Sequence, residues 1–239
     1  MPSLAPDVLV IGSGVAAMSA ALAAAENASV LVVTKSTVQE SCTWYAQGGV
    51  AAALGPGDSP EEHLRDTLNT GAGLNDEPAV RKLVTEGRER VRELIGWGIP
   101  FDRDSGELAF GLEAGHQRRR VLHARGDATG EALAATLVRK LRSHPNISIY
   151  EQHFAVDLLH KDGVCFGALI LDVNGGRVLK IEAKATVLAT GGLGHIYRET
   201  TNPEVTTGDG MAMAYRAGAT VQDLEFVQFH PTALYVAGA

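Results

Sequence analysis

Residues 8–17 read VLVIGSGVAA, a short apolar run that ends in glycine and gives way to an alanine-rich stretch. The run reads as a buried parallel strand over Val8–Ile11, and the alanine-rich segment Gly14–Glu26 as a helix. Ser29–Thr34 (SVLVVT) reads as a second buried strand. Together they make a βαβ unit of roughly 30 residues with the usual right-handed crossover. Within it, Gly12-Ser13-Gly14-Val15-Ala16-Ala17 matches G-x-G-x-x-G/A at the required junction of strand and helix. Gly12 permits the tight turn, Gly14 lets main chain approach a pyrophosphate, and Ala17 keeps helix and strand close. The helix N-terminus adds amides and a partial positive charge. Gly12, Ser13, Gly14, Val15 and Ala16 are therefore the first cofactor-binding positions; the competing reading is a glycine turn needed only for packing.

The second strand ends in Thr34-Lys35, where an acidic residue would be expected to hold a ribose hydroxyl. That argues against an NAD site of the simplest kind. Lys35 either contacts the adenosine end of a cofactor or is an ordinary solvated lysine; it is kept among the cofactor-binding positions.

The remaining pattern is that of an α/β protein. Ser59-Pro60-Glu61-Glu62 reads as a helix start, and Asp76–Gly96 as an amphipathic helix with Val80, Leu83, Val84, Val91, Leu94 and Ile95 on one face. Phe101–Thr129 is polar and reads as a long functional loop, and Gly130–Ser143 as a helix stopped by His144-Pro145. Ile147–Tyr150, Phe154–Leu159, Val164–Asp172 and Val178–Ile181 read as strands, with hairpin turns at Lys161-Asp162-Gly163 and Asn174-Gly175-Gly176. Ala185–Thr190 reads as a further buried strand, Gly210–Ala217 as a helix and Thr220–Phe229 as extended chain. A βαβ start, a β-meander and a late strand ending in Ala-Thr-Gly-Gly imply a Rossmann-like α/β domain with a parallel sheet and a meander crossover, spanning residues 1–239.

A net charge of -7 leaves no electrostatic footprint for nucleic acid or an anionic membrane. No apolar run reaches the ~18–20 residues of a membrane span. The start, MPSLAPDVLVIG, lacks a basic region ahead of its apolar stretch, so no signal peptide is expected. Two cysteines, Cys42 and Cys165, make neither a disulfide framework nor a metal site. The expected location is the cytoplasm.

Ser41-Cys42-Thr43-Trp44-Tyr45-Ala46-Gln47-Gly48-Gly49-Val50-Ala51-Ala52 combines paired glycines and small residues with Ser, Thr and Gln. Such a segment lets main chain lie against a flat ligand and supplies hydrogen bonds to polar ring edges; a tight packing loop is the alternative. This segment resembles the flavin-contacting loop of the succinate dehydrogenase, fumarate reductase and L-aspartate oxidase flavoprotein family. Val187–Gly192, Thr200–Pro203, Gly208-Asp209-Gly210 and Glu225–Thr232 resemble later motifs of that family in the same order, so the resemblance covers essentially the whole chain. It implies FAD held by Ser41, Cys42, Thr43, Trp44, Tyr45, Ala46, Gln47, Gly48 and Gly49, by Asp209, and by Val156 at the adenine end. In the succinate dehydrogenase branch a histidine at the position of Cys42 carries covalent FAD, so the resemblance implies noncovalent FAD here.

Glu113-Ala114-Gly115-His116-Gln117-Arg118-Arg119-Arg120-Val121-Leu122-His123 resembles the aspartate oxidase version of its loop more than the succinate dehydrogenase version. Aspartate differs from succinate by an ammonium group, and a carboxylate beside it supplies a charge-assisted bond. A dicarboxylate lacking the ammonium would leave that carboxylate unpaired and repelled. Glu113 is thus the expected discriminating residue; alone it would read as a solvated loop glutamate. His230 and Thr232 are expected by resemblance to contact a substrate carboxylate. The three consecutive arginines read as a solvated or inter-subunit surface, and His116 and His123 as structural.

The resemblance implies FAD-dependent oxidation of L-aspartate to iminoaspartate, with oxygen or fumarate accepting the electrons, at the start of quinolinate and NAD synthesis. Quinolinate synthase is the partner this suggests. A fumarate reductase or succinate dehydrogenase type of flavoprotein, and a non-catalytic FAD-binding fragment, stay open as alternatives. The run His230–Tyr235 reaches the end without a closing element, so the expectation is a chain that stops before a capping domain and is inactive alone.

Overall fold

The computed structural model describes residues 5–229. In chain order the first elements are β1 (Val8–Ile11), α1 (Val15–Ala25), β2 (Val30–Val33), β3 (Val50–Ala51), α2 (Pro60–Thr70) and α3 (Glu77–Gly96). Four two-residue strands follow: β4 (Arg103–Asp104), β5 (Glu107–Leu108), β6 (Phe110–Gly111) and β7 (Val121–Leu122). Then come α4 (Thr129–Ser143), β8 (Ile147–Tyr150), β9 (His153–Lys161), β10 (Val164–Asp172), β11 (Arg177–Glu182), β12 (Ala185–Leu188) and α5 (Asp209–Arg216). Among the described residues no helix is long and apolar enough to cross a membrane.

The apolar strands form a parallel sheet in the order β12-β1-β2-β8. The two central runs, β1 and β2, are apolar at every position because both faces are covered. Val10 and Val32 point to the side where α1 and α4 pack, together with Ala17, Met18, Ala21 and Leu137. Leu9, Ile11, Leu31 and Val33 point to the other side and meet Ala155, Ala168, Ile170 and Ile181 of the meander. The result is three layers, helices on sheet on meander. The alanines of α1 have a packing purpose beyond helix propensity: Ala17, Ala21 and Ala25 are fully buried, and small side chains let the helix lie close to β1.

The meander is antiparallel in the order β11-β10-β9. Its first turn places Asp162 at φ 52° and Gly163 at φ 78°, the paired positive values that a two-residue primed hairpin needs. At its second turn the Asp172 carboxylate accepts from Gly175 N at 2.8 Å and from Arg177 Nε at 3.0 Å. Two helix starts, those of α2 and α3, follow the capping rules: Ser59 Oγ accepts from Glu62 N at 3.2 Å, and Asp76 Oδ1 from Ala79 N at 2.9 Å.

Three expectations need correction. Phe101–Thr129 contains the hairpin β4–β5 and contributes β6 and β7 to a three-stranded sheet ordered β3-β7-β6. Leu83 is 69% exposed although its spacing put it on the apolar face of α3. No strand forms over Thr220–Phe229; a turn at Leu224-Glu225 interrupts it.

The arginine run divides. Arg118 and Arg119 are exposed, and Arg118 pairs with Glu62. Arg120 is fully buried. Its Nε and Nη2 donate to the two oxygens of Asp58 at 2.9 and 2.8 Å, and Nη1 donates to Asp66 Oδ2 at 2.8 Å. Asp66 Oδ2 also accepts from Gln117 N at 2.9 Å, and His116 Nδ1 lies 3.4 Å from Arg120 Nη1. The cluster ties the loop carrying residues 112–120 to α2 and to the chain before it. His63 stacks obliquely on His116 with ring centroids 5.6 Å apart. Burial, then the charge of Arg120, then His116 hold its pKa below the usual 6.5, against the opposing pull of Asp58 and Asp66. Removing the cation strands two buried carboxylates. Arg120→Ala is expected to lower stability by about 3–5 kcal/mol, read as a fall in the thermal midpoint, while Arg119→Ala on the exposed face changes it little.

Candidate cofactor site

The sheet order reverses at β1: the chain leaves it toward β2 and later returns on its other side as β12. Ligands of open α/β sheets bind beyond the carboxyl ends of the strands at such a switch point. Here that place is a cleft partly open to solvent. It is lined by the turn Gly12–Ala16, the end of β2 through Lys35, Glu40–Thr43, His153–Ala155, Ala189–Gly192, Val205, Thr206, Asp209 and Met213.

The glycine turn is fixed from three sides. Gly12 sits at φ +121°, and a Cβ there would lie 2.1 Å from the carbonyl oxygen of Ala189, so β12 passes against bare backbone. Ser13 Oγ and Thr34 Oγ1, both buried, are 3.1 Å apart and tie the turn to the end of β2. Thr43 Oγ1 accepts from Val15 N at 2.9 Å and brings the following loop against the start of α1. Gly14 is the N-cap of α1 and supplies no side-chain acceptor. The start of α1 therefore faces the cleft with its dipole and amides, an arrangement suited to a pyrophosphate.

Lys35 lies at the other end. Its Nζ donates to Thr207 Oγ1 at 2.5 Å, pairs with Asp209, and stands 5.9 Å from the Phe154 ring centroid. Asp209 opens α5 behind Gly208, which caps the helix at φ +75°. Gly210 packs so tightly on Thr190 that a Cβ would lie 1.9 Å from its Oγ1. The Cys42 thiol is exposed, 3.2 Å from Thr206 Oγ1 and 3.4 Å from Asn202 Oδ1.

Of the expected cofactor residues, Gly12, Ser13, Gly14, Val15, Ala16, Lys35, Ser41, Cys42, Thr43 and Asp209 line this one cleft. The rest of the small-residue loop is not part of this lining. Trp44 packs on the helix-side core, the Tyr45 hydroxyl donates to Glu40 Oε2 at 3.0 Å, and Ala46 O accepts from Gly130 N at 2.9 Å. Gln47 and Gly48 are exposed, and Gly49 packs on β7, where a Cβ would meet Val121 Cγ1 at 2.3 Å. Val156 is exposed beside the cleft-lining Ala155. Glu113 is also outside the cleft lining; its Oε1 lies 2.9 Å from His123 Nε2. His230 and Thr232 fall outside the described residues.

Sequence reasoning did not single out His153, Phe154, Thr190–Gly192 or Thr206 as cleft residues. For Thr190–Gly192 a signal existed, since any strand that pairs in parallel with β1 must end at the same edge. For His153 and Phe154, at the start of the meander, there was none. The cradle fits the FAD expected from the sequence, because a bare glycine turn and the uncapped start of α1 face the same cleft. Gly12→Ala is expected to weaken FAD binding by at least about tenfold, measured by equilibrium dialysis, because the added carbon meets backbone rather than a movable side chain.

Comparison with known proteins agrees with this geometry. A model of the FAD binding domain matches residues 7–239. L-aspartate oxidase 1 of Ralstonia nicotianae is 51% identical over 238 residues, covering 96% of this chain and 44% of the relative. The chloroplastic L-aspartate oxidase of Arabidopsis thaliana is 51% identical over 233 residues, covering 95% and 36%. A solved structure of E. coli quinol fumarate reductase superposes with a TM-score of 0.94 at 35% identity, covering 98% of this chain and 40% of that one. The chain thus spans less than half the length of each of these relatives. With a glycine turn, an uncapped helix start and a switch-point cleft in place, the chain belongs to the FAD binding domain family, and FAD is its cofactor.

Proposed function

We propose that this chain forms the FAD-binding part of an enzyme that oxidises L-aspartate to iminoaspartate and passes the electrons to oxygen or fumarate. The observation that carries the reading is Glu113. Its carboxylate is half exposed and lies 2.9 Å from His123, at the edge of the small sheet formed by β3, β7 and β6. β3 directly follows the Gln47-Gly48-Gly49 loop, and the His123 ring that meets Glu113 also lies against Gly49, within the segment expected to meet the flavin. The names and identities of the L-aspartate oxidase relatives support the same substrate.

FAD supplies a two-electron acceptor. The chain's own residues hold and select. Gly12–Ala16 and the start of α1 cradle the pyrophosphate, and Lys35 with Asp209 borders the far end of the cofactor. Glu113 pairs with the substrate ammonium, while His230 and Thr232 take a substrate carboxylate. Cys42 stands where a covalent flavin link would need histidine, which favours noncovalent FAD. The relatives are more than twice as long as the stretch that matches this chain. A cytoplasmic location, a place at the start of NAD synthesis and quinolinate synthase as partner complete the proposal.

The similarity to quinol fumarate reductase favours one second reading, an enzyme acting on succinate and fumarate. Glu113→Gln in the FAD-loaded full chain separates the two. The aspartate reading expects KM for L-aspartate to rise about tenfold or more, since a hydrogen bond to a charged group contributes about 1.5–3 kcal/mol, with succinate and fumarate handled as before. An unchanged preference would favour the second reading.

A further inference from the structure

His123 joins two segments that the proposed reaction needs in register. It directly follows β7, the central strand of the sheet β3-β7-β6. On one side β3 pairs through Val50 with Leu122. On the other β6 pairs through Gly111 with Val121. The imidazole occupies the space that both flanking glycines leave: a Cβ at Gly49 would lie 2.9 Å from His123 Cε1, and one at Gly111 would lie 3.5 Å from His123 Nε2. The same Nε2 meets Glu113 Oε1 at 2.9 Å. The main chain of His123 is pinned as well, its carbonyl accepting from Asp102 N at 2.8 Å. The ring therefore rests on a fixed backbone and touches both the glycine loop and the carboxylate.

We propose that His123 is the positioning residue for the ammonium-recognising carboxylate. It holds Glu113 by one oxygen beside Gly49 and leaves the second oxygen for the substrate. The proposal rests on the aspartate reading of Glu113 given above. Glu113 is half exposed on a loop, and without a partner its three side-chain torsions would spread the carboxylate over many positions. Recognition of a single ammonium group needs the acceptor within a few tenths of an ångström of its place. A merely structural histidine would affect every substrate alike, whereas this one matters only for substrates that carry the ammonium.

The test compares His123→Leu, His123→Asn and His123→Gln in the FAD-loaded full chain, with KM and kcat measured for L-aspartate and for succinate. Leucine removes the polar contact, asparagine is too short to reach, and glutamine places a donor near the position of Nε2. The expected result is a rise of about tenfold in KM for L-aspartate with leucine and asparagine. Glutamine should restore most of that loss, with kcat little changed and succinate unaffected throughout. Equal losses for both substrates would overturn the proposal in favour of a packing role. An unchanged aspartate KM in the asparagine variant would overturn it too. If Glu113→Gln raises the aspartate KM while the histidine variants do not, this inference fails and the aspartate reading stands; if Glu113→Gln has no effect, the aspartate reading itself fails.

Discussion

One close backbone approach at the end of β1 organises the rest. Gly12, at φ +121°, lies where any side chain would strike the carbonyl of Ala189. That approach lets β1 and β12 run side by side to their ends and diverge there, which opens the cleft at the switch point. The sheet beneath has its apolar residues shared between a helical layer and the meander, so the strand ends cannot shift without disturbing both cores. Ser13 against Thr34 and Thr43 against Val15 N then fix the turn from the two flanking segments. A cofactor cradle of main-chain groups is rigid only when its neighbours are, and here each neighbour is a strand end, a helix start or a loop bonded to one.

A second constraint works at a distance from the cleft. The Arg120 cluster binds the loop that carries Glu113 to α2 through buried Asp66 and to the chain just before α2 through buried Asp58. A buried ion pair is weak as a source of stability but demanding in geometry, because each partner left alone is costly. The loop therefore leaves the cluster at a set place, enters β7, and delivers His123 and Glu113 to the edge of the small sheet. A long polar segment with little apolar content acquires its order from charges and two-residue strands instead of a core of its own.

The fold was largely legible because the signals that carry it are local. β1, β8 and β10 have the bounds that their apolar runs imply, and Asp162-Gly163 makes the turn its composition announces. Gly12–Ala16 was legible for the same reason, since the fingerprint states its context within 30 or so residues. Arg120 was not, because its partners Asp66 and Asp58 lie 54 and 62 positions away and a run of three arginines looks solvated until those carboxylates are placed. Leu83 shows the limit of periodicity: a residue can sit on the right helical face with nothing packed against it. The loop Trp44–Gly49 marks another limit. Small residues suit a flat ligand and a tight backbone contact equally well, and Ala46 and Gly49 spend theirs on α4 and β7. Thr190–Gly192 and Phe154 form part of the cleft wall that no local signal announced.

The most direct test of this account is equilibrium binding of FAD to the protein, followed by quenching of flavin fluorescence, with ADP and NAD as competitors. The account predicts saturable FAD binding that ADP displaces, since the turn, the helix start and Lys35 would hold the ADP half, with FAD bound in preference to NAD. Saturable NAD binding with no measurable FAD binding would contradict it.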